Sequence, residues 1–574
     1  MSTDTHRILP PLGDVDPAAL KRHVDVIASV DRESGTEGDW ASARYIASFL
    51  EDQGIPVRLE TTRTITSRPL SAGLRLGSGV ELDCITQSYS GQADGLTAPL
   101  MRVDDALTRD GDYSGHVVVT FGLASPLACR TITDLGAAGI VFINDSDYPH
   151  NMAISSVWGM PSREEIPQLA YPPVVSVTRG TGREILAYID EAEEATATLR
   201  TSVDTGLRDL PLVVADIVGG ASETDRFVML NGHVDSWHRG GVDNGTGNAA
   251  MLEIARIAHR HRNQLSTNLR IVFWSGHSDG RYSGSDWYAD HAWMDLHDNC
   301  VVNFNIDSIG AKGATAYPRV YASAHCYRAG LAAVHELTGE SPEYTRIERN
   351  GDQSFWNHGV PSLFQVLSLF PADSAGGSTF VAGLPWHWHT TQDLPEEAGP
   401  EEMALDSQIY LSAIWDFCAS RAYPFVFADL AEEVHASLSG AHERTGEGIA
   451  ALGALVSASA SFIEDAKRFD RLIERVRRAE LDAATAELVN TTSMRINRAV
   501  IPVLNCATSP FHTDGALPQA LFPGLKDLDL FVRHEDELVR AAHEREIVRE
   551  GNRIGWMLET VRRSIAACLT EVGG

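Results

Sequence analysis

DRFVMLNGHVDSWHRGGVDNGTGNAAMLEIARIAHRHR, residues 225–262, reads as strand, glycine-rich turn and helix. Its first part is an apolar run suited to a buried strand; the run from Gly247 repeats its apolar residues at helical spacing. Working outward, NLRIVFWSGH (268–277) and CVVNFNIDSIG (300–310) read as two further buried strands. Strands alternating with helices predict an α/β fold, a three-layer, mostly parallel sheet with helices on both faces. In such sheets the chemistry gathers where strands run out into polar, Gly-flanked loops.

Upstream, residues 16–57 read as two amphipathic helices around a Gly-containing turn. Residues 63–205 are poorer in helix pattern. Within them GHVVVTFG, followed by CRTITDLGAAGIVFIND, predicts strand, helix, strand in a β-rich insert. From residue 425 to 574 the periodicity is helical with almost no strand signal. The expected division is therefore an α/β domain formed by 1–62 and 206–424, an insert over 63–205, and a helical domain over 425–574.

The bulk chemistry narrows the function classes. The chain has 574 residues and a formal net charge of −31, from 78 acidic and 47 basic residues. A phosphate-backbone binder leans the other way, so no nucleic-acid partner is expected. No apolar run approaches the roughly 20 residues of a spanning helix, so no membrane association is expected. The N-terminus lacks a basic region followed by an apolar one, and the seven cysteines form no CxxC pair. Together these predict reduced thiols and a cytoplasmic location.

Several segments carry chemistry. His233 and Asp235 lie at a strand end, and Asp243 in the glycine-rich loop beyond it. Histidine with carboxylate suits zinc or another divalent ion; the alternative is a turn rich in Asp, Gly and His without metal. Two residues apart in extended chain, His233 and Asp235 point the same way, which suits a carboxylate that orients a ligating imidazole. Asp307 ends another strand, where it completes a metal site or caps a helix. PWHWHTTQD (385–393) places His387 and His389 two apart, with Asp393 following. In NGDQSFWNHGVPSLF (350–364), Asp352 lines a pocket or caps a short helix.

In this order the segments resemble the zinc aminopeptidase and glutamate carboxypeptidase II family, to which the transferrin receptor also belongs. GHVDSWHRGGVDNGTGNAAMLEIAR is similar to that family's first metal-ligand motif, and DRESGTEGDWASARYIASFLEDQGIPV to its N-terminal helix region. SGHVVVTF with LGAAGIVFIND resembles its protease-associated insert. The helical tail stands where glutamate carboxypeptidase-like members carry a dimerisation domain. The resemblance implies two divalent ions, zinc by default, with manganese, iron or cobalt open to a changed ligand set. His233, Asp243 and Asp307 would hold one ion; Asp243 would bridge to a second, which His389 also binds. Asp235 would orient His233. A small peptide or amide substrate and a homodimer are implied as well.

FWSGHSDGRYSGS (273–285) departs from the family, which usually carries two consecutive glutamates past this strand, one a general base and the next a metal ligand. Here His277, Ser278 and Asp279 occupy the loop. Serine is a poor ligand and a poor base, whereas Asp and His serve either task. The expectation is Asp279 as ligand of the second metal and His277 as base or second ligand. Arg239 and Arg281 flank these motifs, where a guanidinium would hold a substrate carboxylate or pair with a nearby Asp. The leading expectation is a dinuclear hydrolase with an altered base. The other readings are a metal enzyme of another reaction class, such as a lyase, and a non-catalytic relative of the transferrin receptor type.

Overall fold

The computed structural model describes residues 9–573 apart from 373, 375–376, 378–382, 446–448, 527 and 529–534. The chain opens with helices α1 (Pro17–Ile27) and α2 (Glu37–Asp52). Asp16 and Thr36 cap them by accepting the N–H groups of Ala18 and Asp39. Strand β1 (Val57–Leu76) then leads away from the α/β body. Beyond it come β2 (Glu81–Leu82), β3 (Ile85–Thr86), β4 (Ala93–Arg102), β5 (Val117–Phe121), α3 (Pro126–Asp134), β6 (Gly139–Ile143), β7 (Val174–Val177) and α4 (Arg179–Glu191). Strand β8 (Thr196–Ile217) returns along β1, antiparallel from Leu76↔Ala197 to Val57↔Ala215, with one irregularity at Pro69–Ser71.

The α/β body continues with β9 (Phe227–His233), α5 (Gly247–Arg260), β10 (Asn268–Trp274), α6 (Ser283–His291), α7 (Trp293–Asn299) and β11 (Cys300–Asn305). It is completed by β12 (Arg319–Ala322), α8 (Tyr327–Thr338), β13 (Glu343–Arg346), β14 (Ser362–Leu363) and α9 (Pro400–Ala419). The strands run in the order β13-β12-β14-β11-β9-β10-β8 and on into β4-β5-β6-β7-β3. Pairing is parallel through β14, β11, β9 and β10, but β8 meets β10 antiparallel and β12 meets β14 antiparallel. The sheet is therefore mixed. Parallel pairing recurs at the β12–β13 edge and along the β4–β7 run of the insert, while β8 meets β10 antiparallel because it arrives as the return arm of a ribbon rather than through a helical crossover.

Side chains alternate between two helical layers. Val228 and Leu230 of β9 join the core beneath α1, α5 and α9; Phe227 and Met229 join Tyr288 and Leu296 of α6 and α7 on the opposite face. Every residue of β9 and β11 is buried, as expected of central strands covered on both sides. The expected strand–helix–strand unit of the insert is β5, α3 and β6. The expected insert boundaries at 62/63 and 205/206 fall inside β1 and β8, which cross them unbroken.

The helical region contains α10 (Phe427–Thr445), α11 (Ala450–Arg477), α12 (Ala483–Asn505) and α13 (Glu537–Glu571). Its core is continuous with that of the α/β body through Phe425 and Phe427. Arg498 of α12 donates to the carbonyls of Leu296, His297, Gly359 and Cys300, which pins the helices to the end of α7. Among the described residues, no helix is long and apolar enough to cross a membrane.

Candidate metal centre

Strand register builds the site. Trp274 of β10 stands beside His233, the last residue of β9, and Asn305 of β11 stands beside Asn231. Counting two residues on, Asp307 comes level with His233 on one side while the 275–282 loop leaves β10 on the other. The third contribution comes from the turn before α5. Gly240 there adopts φ +50°, and a Cβ would meet the Asp243 carbonyl at 2.1 Å; one on Gly241 would meet the Leu394 carbonyl at 2.2 Å. The Gly-Gly pair thus lets this turn close against the 385–394 loop. Asn248 donates to the His233 carbonyl at 2.8 Å and Asn244 to that of Ile306 at 2.9 Å, tying the turn to both strand ends.

The functional groups form a row. His233 Nε2 is 3.2 Å from Asp243 Oδ1 and 3.4 Å from Asp307 Oδ1. His389 Nε2 is 3.0 Å from Asp243 Oδ2. His277 Nε2 lies 3.9 Å from Asp307 Oδ2. Each imidazole is oriented from behind: His233 Nδ1 donates to the Asp235 carbonyl at 2.7 Å, His389 Nδ1 to the Asn151 carbonyl at 2.7 Å, and His277 Nδ1 to Asp352 Oδ2 at 2.9 Å. Nε2 is therefore the nitrogen each ring turns toward the row.

Electrostatics follow this layout. Burial alone lowers the pKa of His233, but Asp307 and Asp243 overcome it and hold the imidazole well above its usual range. Burial opposes ionisation of Asp243, and His233 and His389 outweigh it, keeping the carboxyl well below its usual range. Both effects mark donor atoms that want a positive charge between them.

The expected residues divide in their placement. His233, Asp243, Asp307 and His389 come together, and His277 joins them. Asp279 does not: its Oδ1 accepts from Ser88 Oγ at 3.2 Å, and burial with Glu33 and Asp235 nearby pushes its carboxyl well above the usual range. The Asp235 carboxylate does not carry His233; that task falls to its backbone carbonyl, because β9 ends at His233 and the chain turns. Its oxygens instead accept the N–H groups of His277 and Ser278 and the hydroxyl of Ser34. Asp352 is 1% exposed and lies behind His277 instead of lining a pocket. Arg239 donates to the Ser29 carbonyl, and Arg281 to Tyr282 Oη and the Ala516 carbonyl, so neither guanidinium is directed into the row.

Three further residues shape the site, two of them without a motif. Arg32 is fully buried and donates to the carbonyls of Val234, Gly240, Ile27 and Arg239, fixing the loop between His233 and Asp243. Burial brings its pKa down to about 10, opposed by Asp393, Asp39, Asp243 and Asp235. Asp393 accepts the N–H groups of Val242 and Asp243, both at 2.9 Å, and His387 Nδ1 at 3.1 Å. Asn151 comes from the insert. Only Asp393 had a sequence cue, its place four residues after His389.

His233 Nε2 and Asp243 Oδ1 are buried and make no hydrogen bond. Unsatisfied buried donor atoms of these types, converging on one space, fit a divalent metal ion.

The mixed α/β sheet thus carries a buried row of His and carboxylate side chains at its strand ends. Residues 213–411 match the description of Peptidase family M28. Aminopeptidase NAALADL1 of Mus musculus is 24% identical over 326 residues, covering 50% of this chain and 43% of the relative. Leupeptin-inactivating enzyme 1 of Streptomyces exfoliatus is 30% identical over 247 residues, 41% of this chain and 54% of the relative. The chain thus spans about half or less of the length of these relatives. The solved structure of a zinc aminopeptidase from Bacillus subtilis shares the fold, with a TM-score of 0.54 and 19% identity over 71% of this chain and 96% of that one.

Proposed function

We propose that this protein is a metal-dependent hydrolase that cleaves a peptide or small amide bond at a dinuclear site with an altered general base. The observation that carries this reading is the Asp243 carboxylate, whose two oxygens face two different imidazoles. His233, Asp243 and Asp307 would hold one ion, and Asp243 and His389 the other, zinc being the metal named for the Bacillus relative of this fold. When bound, such ions supply positive charge that polarises a scissile carbonyl and makes a nearby water easier to deprotonate. The chain's own residues do the rest. Asp235 and Asn151 hold His233 and His389 in one tautomer through their carbonyls. His277 Nε2 takes the water's proton where the family pattern has a glutamate.

The reading extends to the whole chain. Residues 1–62 and 206–424 form the metallopeptidase-like part, 63–205 a protease-associated-like insert, and 425–574 a helical, dimer-forming part. All seven cysteines are unpaired, in keeping with a cytoplasmic setting. The test is metal content per chain, by mass spectrometry on protein purified without chelator, followed by a screen of aminoacyl, N-acyl and dipeptide amides. About two ions per chain with hydrolysis of one class supports the proposal. Near-zero metal after incubation with zinc or manganese, with no turnover, overturns it.

A further inference from the structure

The sequence leaves His277 as either a metal ligand or a base, and the ring geometry separates the two. His277 and His233 are stacked, with centroids 3.8 Å apart and planes 10° from parallel. An imidazole ligates through a lone pair lying in its own ring plane. One ligand atom from each of His233, His277 and Asp307 lies within 4.8 Å of the others, but two rings in parallel layers send their in-plane lone pairs along parallel layers, which is a poor geometry for sharing the ion His233 would hold. His233, whose Nε2 lies against both Asp243 and Asp307, is the ligating layer. His277 is the layer above it.

What holds His277 there is Asp352. This carboxylate is buried and accepts from His277 Nδ1 at 2.9 Å. It comes from the loop after β13, 75 residues away in sequence. Charge assistance from His277 keeps the Asp352 carboxyl below its usual range despite burial. The edge of the His277 ring also packs against Tyr282, with centroids 4.9 Å apart. The arrangement resembles the second half of a Ser-His-Asp triad, in which a buried carboxylate fixes the tautomer and stabilises the imidazolium that forms.

We infer that Asp352 is a positioning residue that fixes His277 as its Nδ1–H tautomer, with Nε2 directed at the row but outside metal coordination, so that an Asp-His pair replaces the acidic base. This rests on the hydrolase reading only for the proton's destination. On attack, the water proton passes to His277 Nε2, the imidazolium is held by Asp352, and the same proton is available to the leaving amine.

The test uses full-length protein labelled with ¹⁵N-histidine, with and without ¹¹³Cd. The expected spectrum shows His277 protonated at Nδ1 and no cadmium coupling at its Nε2, while His233 and His389 are coupled. In Asp352→Asn, the His277 tautomer signal should shift to a mixture. Cadmium coupling at His277, or a tautomer unchanged in Asp352→Asn, overturns the inference. His277→Ala provides a second reading should the Asp352 variant fail to fold: metal content per chain should match the wild type, and loss of an ion overturns the inference. With a substrate in hand, Asp352→Asn should lower kcat at least tenfold with KM within twofold. Failure of the hydrolase reading would appear separately, as absent metal and turnover, while the metal-free tautomer still reads the Asp352–His277 pair.

Discussion

Asp393 holds Asp243 by the backbone, its carboxylate accepting the Asp243 N–H at 2.9 Å while the Asp243 side chain is left to the imidazoles. The same carboxylate takes the N–H of Val242 and meets His387. One buried residue thereby joins the turn that carries the shared carboxylate to the loop that carries His389.

Removing that joint should loosen both sides of Asp243 together. Asp393→Ala is expected to weaken zinc binding by about 10- to 100-fold, the usual cost of losing a group that orients a metal ligand. Titration calorimetry on metal-depleted protein checks this; an unchanged affinity contradicts it.

Arg32 should matter more to stability than its place in the sequence suggests. Its guanidinium serves four carbonyls from full burial. Replacing it by Met leaves those acceptors unpaired, at a cost on the order of 3 kcal/mol. The expected outcome is a lower urea midpoint, read by circular dichroism, with reduced metal content.

Asp279 should behave unlike His277. Its carboxyl packs against Ser88 and is kept toward the neutral form by burial and its acidic neighbours. Asp279→Asn preserves shape and keeps the group neutral at every pH, so metal content per chain should equal the wild type. Loss of an ion would return Asp279 to the ligand set.

A pH effect should arise away from the site, at Asp406. Burial raises this carboxyl to about 7, although Ser368, Tyr317 and the Gly310 N–H all donate to it. Its folded pKa lies above the unfolded value, so the native state binds the extra proton between about pH 4 and 7. That contribution to stability is present below the unfolded pKa and is lost as pH rises through about 7. Asp406→Asn does not titrate. Its melting temperature relative to wild type should therefore climb from pH 5 to pH 7 and level off above that, as scanning fluorimetry would show.

Much of the site was legible because its donors sit at strand ends with strong local patterns. His233, Asp243 and Asp307 each lie at the end of a buried run or in a glycine-rich turn, His389 lies in a His-rich loop flanked by tryptophans, and register alone aligns the first and third. What was not legible lies across long separations. Asn151 meets His389 238 residues later, and Arg32 meets Val234 202 residues later. Nothing in the neighbourhood of either residue encodes its partner. Asp352 looked like a helix cap or pocket residue because its partnership with His277 exists only once β10 and the loop after β13 are folded. The sheet's mixed directions were hidden for a similar reason: composition marks a strand as buried but not which way it runs. Nor did the sequence show that β1 and β8 run unbroken across the expected boundaries at 62/63 and 205/206, because both strands carry many polar residues, which resembles a change of domain.

Those two long strands bear on how the molecule comes apart. The insert supplies Asn151 to the row, and it is attached through a ladder that continues into the sheet carrying His233. No slack linker separates them, so the insert is cantilevered from the α/β body. Denaturant should therefore melt the two as one cooperative unit, and the donor row should vanish in the same transition.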